Sequence, residues 1–405
     1  MALRNGIGCA NGSLDLERCA LQREGEDASL ASPKILHICD KLSVNGSGLH
    51  GVGRLLEWWF PEFRARGFDP SVLVLQERDR GGEQLERSGI PVHYLDRSRY
   101  DPRALSDAWR HLGQARPALV HLHGYGAWAI GRAAARLRGI PIVLQEHMIS
   151  ERTKLLQRGT DWLLSRSDPT IAISGPVAAF CTERRSVRPE QLRRITNGLP
   201  LRAFRPASEP EVFELRGDLK LAGFTPILGS VGRLEPRKGY ADLLCAIPEI
   251  RRHHPRLGVL IAGDGEDQAE LAALAEELGI ADCVRLPGYR HDVAALLTLM
   301  DVFVVPSHSE GLSLSMLEAL AVGRPVVATR VGGLGEALCH EKTALLVPPA
   351  DPAAIAASAL RLLADPALAR SLAEAGRALV HEKHDVSANV REIVAVYAEL
   401  LGTAS

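Results

Sequence analysis

No two cysteines in this 405-residue chain stand in a C-x-x-C pair. The seven present, at positions 9, 19, 39, 181, 245, 283 and 339, are scattered and odd in number. That argues against a disulfide framework or a zinc site and for a reducing, cytoplasmic setting. No apolar run approaches the roughly 18 residues that a membrane span needs. The first 32 residues lack the apolar centre of a signal peptide; they read as a mostly disordered extension or as a start assigned too early. Net charge is only −1, and no nucleic-acid partner is expected. The near-neutral total hides a division, however. Residues 31–205 carry 27 Lys and Arg against 17 Asp and Glu, whereas residues 206–405 carry 18 against 27. A basic front half suits an anionic partner, such as a phospholipid surface or a phosphorylated acceptor.

What the chain does have centres on residues 301–320, DVFVVPSHSEGLSLSMLEAL. The β-branched run Val302 to Val305 suits a buried parallel strand. Pro306 ends it, and a polar loop leads to a helix expected over about Leu314 to Val322. The first amides of such a helix have no intrahelical partner and favour a phosphate or another oxygen-rich group. Glu310 and Glu318 bracket the turn, and carboxylates accept hydrogen bonds from hydroxyls. Phosphates in the middle with a sugar at each end describe a nucleotide sugar.

Glu310, seven intervening residues and Glu318 resemble the E-x7-E element of the large retaining glycosyltransferase family 4, which has the GT-B fold. The resemblance implies that Glu310 faces the donor sugar and that Glu318 holds the ribose hydroxyls. It also implies that the backbone at Gly311, Leu312, Ser313 and Leu314 meets sugar and diphosphate. A second element, Gly232-Arg233 to Lys238-Gly239, resembles the family's G-R-x-x-x-x-K-G signature. On the residues alone, Arg233 can bind two oxygens at once and Lys238 supplies a flexible point charge, while Gly232 lets backbone come close. By resemblance both cations grip the donor diphosphate, no metal or other cofactor is required, and the Gly288 to Arg290 loop lies along the base. Asp264 and Asp267 fall at a family G-x-G turn, not at a metal site.

Nearer the front, PKILHIC (33–39) reads as a strand, followed by NGSGLHGVG (45–53) and a helix over about 54–66. Gly46, Gly48 and Gly51 spell G-x-G-x-x-G, so a nicotinamide-dependent oxidoreductase is a rival reading. Six residues separate strand from first glycine, whereas the dinucleotide turn begins at the strand end; a donor-closing loop, with Gly51 and Gly53 allowing close approach, is favoured. A nucleotide-sugar binder without turnover ranks behind both. Trp58, Trp59, Phe60 and Phe63 suit either core packing or a membrane-contacting edge. His123 and His147 fall at strand ends, where parallel sheets bind ligands; both match family positions near acceptor or donor sugar, with His123 assigned to the acceptor. A helix with Lys154, Arg158 and Trp162 spans about 153–164.

The expected architecture is α/β, with two Rossmann-like domains facing across a cleft. Residues 33–203 form the acceptor side and 204–387 the donor side, joined at an Asn197-Gly198 hinge. The last helix, within 388–405, crosses back to the front. The expected partners are a nucleotide-sugar donor and a glycan or lipid-linked acceptor, at the cytoplasm or the inner face of a membrane.

Overall fold

The computed structural model describes residues 32–43, 48–98, 101–124, 126–149 and 168–402. The expectations for the N-terminal extension, Gly46 and the 153–164 helix lie outside these residues.

Two parallel sheets form the chain. The front one joins β1 (Lys34–Cys39), β2 (Asp69–Val74), β3 (Val92–Tyr94), β4 (Leu119–His123), β5 (Ile142–Glu146), β6 (Thr170–Ala172) and β7 (Leu192–Arg194). Their order is β3-β2-β1-β4-β5-β6-β7. The rear one joins β8 (Ile227–Val231), β9 (Gly258–Ala262), β10 (Val284–Arg285), β11 (Val302–Val305), β12 (Val326–Thr329) and β13 (Leu345–Val347), in the order β10-β9-β8-β11-β12-β13. The central strands β4, β5, β9, β11 and β12 are buried along their whole lengths. This explains the unbroken apolar runs of β9 and β11, since helices cover both faces of a parallel sheet, while β4 and β5 carry buried polar groups at His121, His123, Gln145 and Glu146.

Strand order reverses direction between β1 and β4 in front, and between β8 and β11 behind. Loops leaving the carboxyl ends of such neighbours diverge and open a crevice. The front crevice receives the segment after Cys39, and the rear one receives Gly232–Lys238 and Ser307–Ser313. The two face each other.

The helix after β1 runs Gly51–Ala65, starting three residues earlier than its pattern suggests. His50 caps it, its Nδ1 accepting from the Gly53 amide at 3.4 Å while its Nε2 lies 2.6 Å from the Lys41 carbonyl oxygen. Trp59, Phe60 and Phe63 are fully buried in this domain's core. Trp58 is half-buried, edge-on to Phe204 at 5.9 Å. Core packing therefore accounts for the aromatic cluster, and the membrane-edge reading is withdrawn.

The last helix, Val386–Leu401, returns to the front sheet's layer. Trp59 Nε1 donates to Asn389 Oδ1 at 2.7 Å, and the buried Tyr397 ring lies 5.6 Å from Phe63. No single helix among the described residues is long and apolar enough to cross a membrane.

Candidate active site

A cavity of about 440 Å³ lies where the two crevices meet. Its rear wall begins where β8 gives way to Gly232 and Arg233. A single turn, Pro236–Lys238, follows. Glu235 holds two guanidinium groups, Arg233 at 2.8 Å and Arg237 at 2.5 Å. Lys238 Nζ stands 2.8 Å from Glu310 Oε2, with Arg237 at 4.0 Å and the Ser307 hydroxyl donating at 3.3 Å. Glu310 is 8% exposed. Burial pushes its carboxyl up, but Lys238 and Arg237 outweigh that and leave it below the ordinary value. The carboxylate is thus ionised and pre-oriented at the cavity wall.

The helix starting beside it spans Leu314–Val322, as its pattern predicts. Ser313 is the N-cap, its Oγ accepting from the Met316 amide at 3.3 Å, and Ser315 Oγ lies 3.1 Å from it. These serines stabilise the helix start, while the amides of Leu314 and Ser315 lack intrahelical acceptors, and both residues line the cavity. Three cations and these amides surround one volume, an arrangement suited to a diphosphate.

Gly311 marks where the halves touch. A Cβ there would stand 2.2 Å from the His147 carbonyl oxygen, so only glycine allows the approach. Ser174 Oγ donates to the Gly311 carbonyl at 2.9 Å from the front domain.

Glu318 is fully buried and does not itself line the cavity; Arg54, from the opposite domain, does. Arg54 Nη2 approaches Glu318 Oε1 to 2.8 Å. The contact is misaligned for a directed hydrogen bond, and neither carboxylate oxygen has one. Burial raises the Glu318 pKa, and Arg54 offsets only part of that. A raised carboxyl pKa means that the ionised side chain weakens the empty fold at neutral pH, a cost that disappears as pH falls through the folded value. Glu318→Gln is therefore expected to raise the melting temperature of the ligand-free protein at pH 7. Scanning calorimetry reads the effect.

Of the other expected site residues, Gly51, Gly232, Leu312 and His147 line the cavity. Three do not. Gly53 faces inward, where a Cβ would meet Leu49 Cδ1 at 2.3 Å. Gly288 stays off the wall, its carbonyl accepting from Gly263 N at 2.9 Å, and its neighbours Tyr289 and Arg290 reach the cavity instead. His123 is 2% exposed and sits behind His147, joined to it at 3.0 Å. Gly48 lies against the Tyr289 ring, where a Cβ would come within 2.4 Å. Its small size serves the meeting of the two domains.

Arg54, Arg237 and His50 also line the cavity and were not singled out from sequence. Arg237 lies within the G-R-x-x-x-x-K-G element, at one of its unspecified positions. His50 combines capping with a ring that burial keeps neutral, the Arg233 charge adding to that. Nothing local marks Arg54, because its partner is 264 positions away.

His37, His121 and His123 place ring nitrogens within 4.8 Å of one another, spacing compatible with a metal ion. Some of these nitrogens are already engaged, His37 Nδ1 with His123 Nε2 at 3.0 Å and His121 Nδ1 with Tyr397 OH at 2.7 Å, whereas His37 Nε2 and His121 Nε2 have no hydrogen-bond partner among the described residues.

Comparison with known proteins agrees with this geometry. Residues 212–379 match the family described as glycosyl transferases group 1, and residues 50–202 match glycosyltransferase family 4. The chain is 30% identical over 313 residues to a glycogen synthase of Mycobacterium tuberculosis, covering 73% of this chain and 69% of that one. It is 31% identical over 362 residues to a D-inositol 3-phosphate glycosyltransferase of Thermobispora bispora, covering 82% and 81%. Among solved structures, Anabaena HepE in complex with UDP and glucose aligns with a TM-score of 0.81 at 22% identity, over 91% of this chain and 100% of that one. Sucrose-phosphate synthase from Thermosynechococcus elongatus aligns at 0.75 and 24% identity, over 92% and 100%. These two likenesses establish the shared two-domain fold.

Proposed function

Because the chain belongs to the family 4 (group 1) glycosyltransferases, we propose that it moves a hexose-type sugar from a UDP- or GDP-linked donor to an acceptor hydroxyl with retention of configuration. Membership makes it a transferase with the GT-B fold that uses a nucleotide-sugar donor, and sets aside both the nicotinamide reading of Gly46–Gly51 and binding without turnover. One observation carries the finer reading: Arg233, Arg237, Lys238, Glu310 and the start of the Leu314–Val322 helix border a single cavity.

In the proposed reaction the bond between the anomeric carbon and the diphosphate oxygen breaks, and a bond to the acceptor oxygen forms on the same face. The acceptor proton passes to the leaving diphosphate. Positive charge develops on the sugar ring and negative charge on the diphosphate. Arg233, Arg237, Lys238 and the amides of Leu314 and Ser315 take up the latter, so no metal is required in this scheme. Glu310 accepts hydrogen bonds from the sugar, and Glu318 binds the ribose once Arg54 yields.

The chemistry favours a glycan or lipid-linked acceptor, with the protein in the cytoplasm and peripheral to a membrane. Support comes from the basic front half, and from exposed Leu137 and Trp109 beside Arg138, whose guanidinium lies 3.8 Å from the Trp109 ring centroid. Binding to liposomes is expected to rise with their anionic lipid fraction. Sedimentation unaffected by that fraction would remove the membrane part of the proposal. The transfer part is tested by incubating the protein with UDP- and GDP-sugars and measuring nucleoside diphosphate release. Saturable release with at least one donor is expected, and none from any donor would overturn it.

A further inference from the structure

His37, His121 and His123 are buried behind the cavity and His147 lines it, and three of these four histidines are linked in series. His37 Nδ1 lies 3.0 Å from His123 Nε2, and His123 Nδ1 lies 3.0 Å from His147 Nε2. The His37 and His123 ring planes differ by only 5°, with centroids 5.3 Å apart. At that nitrogen separation the rings meet end to end, not face to face. The second link has the same centroid distance, 5.3 Å. His147 lines the cavity opposite Gly311, while its Nδ1 is enclosed just behind the surface without a hydrogen-bond partner among the described residues. At the far end His37 Nε2 is likewise unpartnered.

We propose that His37, His123 and His147 work as one hydrogen-bonded imidazole chain, whose buried end fixes the tautomer of the ring at the cleft so that His147, once donor binding uncovers it, offers a bare Nδ1 to a sugar hydroxyl. His37 and His123 are then positioning residues, and only His147 meets substrate. The inference rests on the transferase reading for the identity of that hydroxyl, though not for the tautomer itself.

The argument is one of proton counting. Burial holds His37 and His147 near 3 and His123 well below its ordinary value, so all three rings are neutral at physiological pH. A neutral imidazole owns one N–H and one lone pair. Two internal links use two of the three protons, and the third must sit at one end of the chain. Any mixed arrangement sets two lone pairs or two hydrogens against each other across 3.0 Å. The chain therefore has two self-consistent states, one with every N–H directed inward and one with every N–H directed outward.

The inner end decides between them. The rings of Phe60, Phe63 and His121 flank His37 at 5.1, 5.5 and 5.1 Å, and His121 is itself tied to Tyr397 OH through Nδ1 at 2.7 Å. Aromatic faces are negative: they accept an N–H weakly and repel a lone pair. The proton belongs on His37 Nε2, and every link then points inward. His147 Nδ1 is left bare and accepts a hydrogen bond. The chain does not store a proton, because charging His37 in this apolar setting would cost what its burial indicates.

Nitrogen NMR of the full-length protein with labelled histidine tests this directly. His147 Nδ1 is expected to be unprotonated and its Nε2 protonated at neutral pH, with or without substrate. In His37→Leu the inner anchor is gone, so the His147 signals should move toward a mixture, and kcat should fall about tenfold at unchanged donor KM. In His37→Gln a carbonyl can again accept from His123 Nε2–H, and both readouts should recover to within about threefold. A protonated His147 Nδ1 in the wild type, or His147 signals unmoved in His37→Leu, would overturn the proposal. Should His37→Leu not fold, the wild-type spectrum and His37→Gln still decide it. Failure of the transferase reading would show separately, as absence of nucleoside diphosphate binding.

Discussion

Lys238→Ala is expected to lose transfer by about 10²- to 10³-fold while remaining folded, the range for removing one preorganised group from developing transition-state charge. Lys238 is the group closest to Glu310, at 2.8 Å, and it also lines the cavity. Its removal acts twice: the leaving group loses a cation, and Glu310 loses its main counter-charge. With only Arg237 left, at 4.0 Å, burial dominates and the Glu310 carboxyl titrates upward. Steady-state kinetics beside far-ultraviolet circular dichroism separate these effects from unfolding. A folded variant with wild-type turnover would remove Lys238 from the mechanism.

Glu310→Gln is expected to lower kcat to a similar extent, with a smaller effect on nucleoside diphosphate affinity. The amide keeps the size of the carboxylate but loses its charge, so hydroxyls of the sugar are held less firmly while the diphosphate clamp remains. Glu310→Ala should lose transfer as well and leave room for water. The pH dependence has a definite sign. Because the folded pKa is lowered, Glu310 contributes stability above the ordinary carboxyl value, and that contribution is lost as pH falls through the folded value. In Glu310→Gln this part of the acid destabilisation should disappear, a difference read by thermal denaturation between pH 3 and 6 (a range of about three units chosen around the ordinary carboxyl value). An unchanged kcat in Glu310→Gln would refute the assigned role.

Much of the donor half was legible because its signals are local. Val302–Val305, Pro306, the polar loop and the Leu314–Val322 helix follow from strand composition and helix-start chemistry within twenty residues of sequence. The cations of Gly232–Lys238 could be read the same way. The domain-crossing features could not. Arg54 meets Glu318, Trp59 meets Asn389, and His37 meets His123 only once two sheets and the returning helix have assembled. His37 in particular looks like any residue of an apolar strand. Gly53 was misplaced because a helix repeats every 3.6 residues: starting it at Gly51 rather than Arg54 turns Gly53 away from the cleft and onto Leu49. The signal for that shift was His50, a residue type seldom counted among helix caps.

The central claim is that this cavity recognises a diphosphate through Arg233, Arg237, Lys238 and an exposed helix start. Titration calorimetry with matched nucleoside mono- and diphosphates, in the uridine and guanosine series, tests it most directly. At least one diphosphate is expected to bind about a hundredfold more tightly than its monophosphate, consistent with two charge-assisted contacts at the second phosphate. Equal affinities within both pairs, or no binding by either diphosphate, would contradict the account.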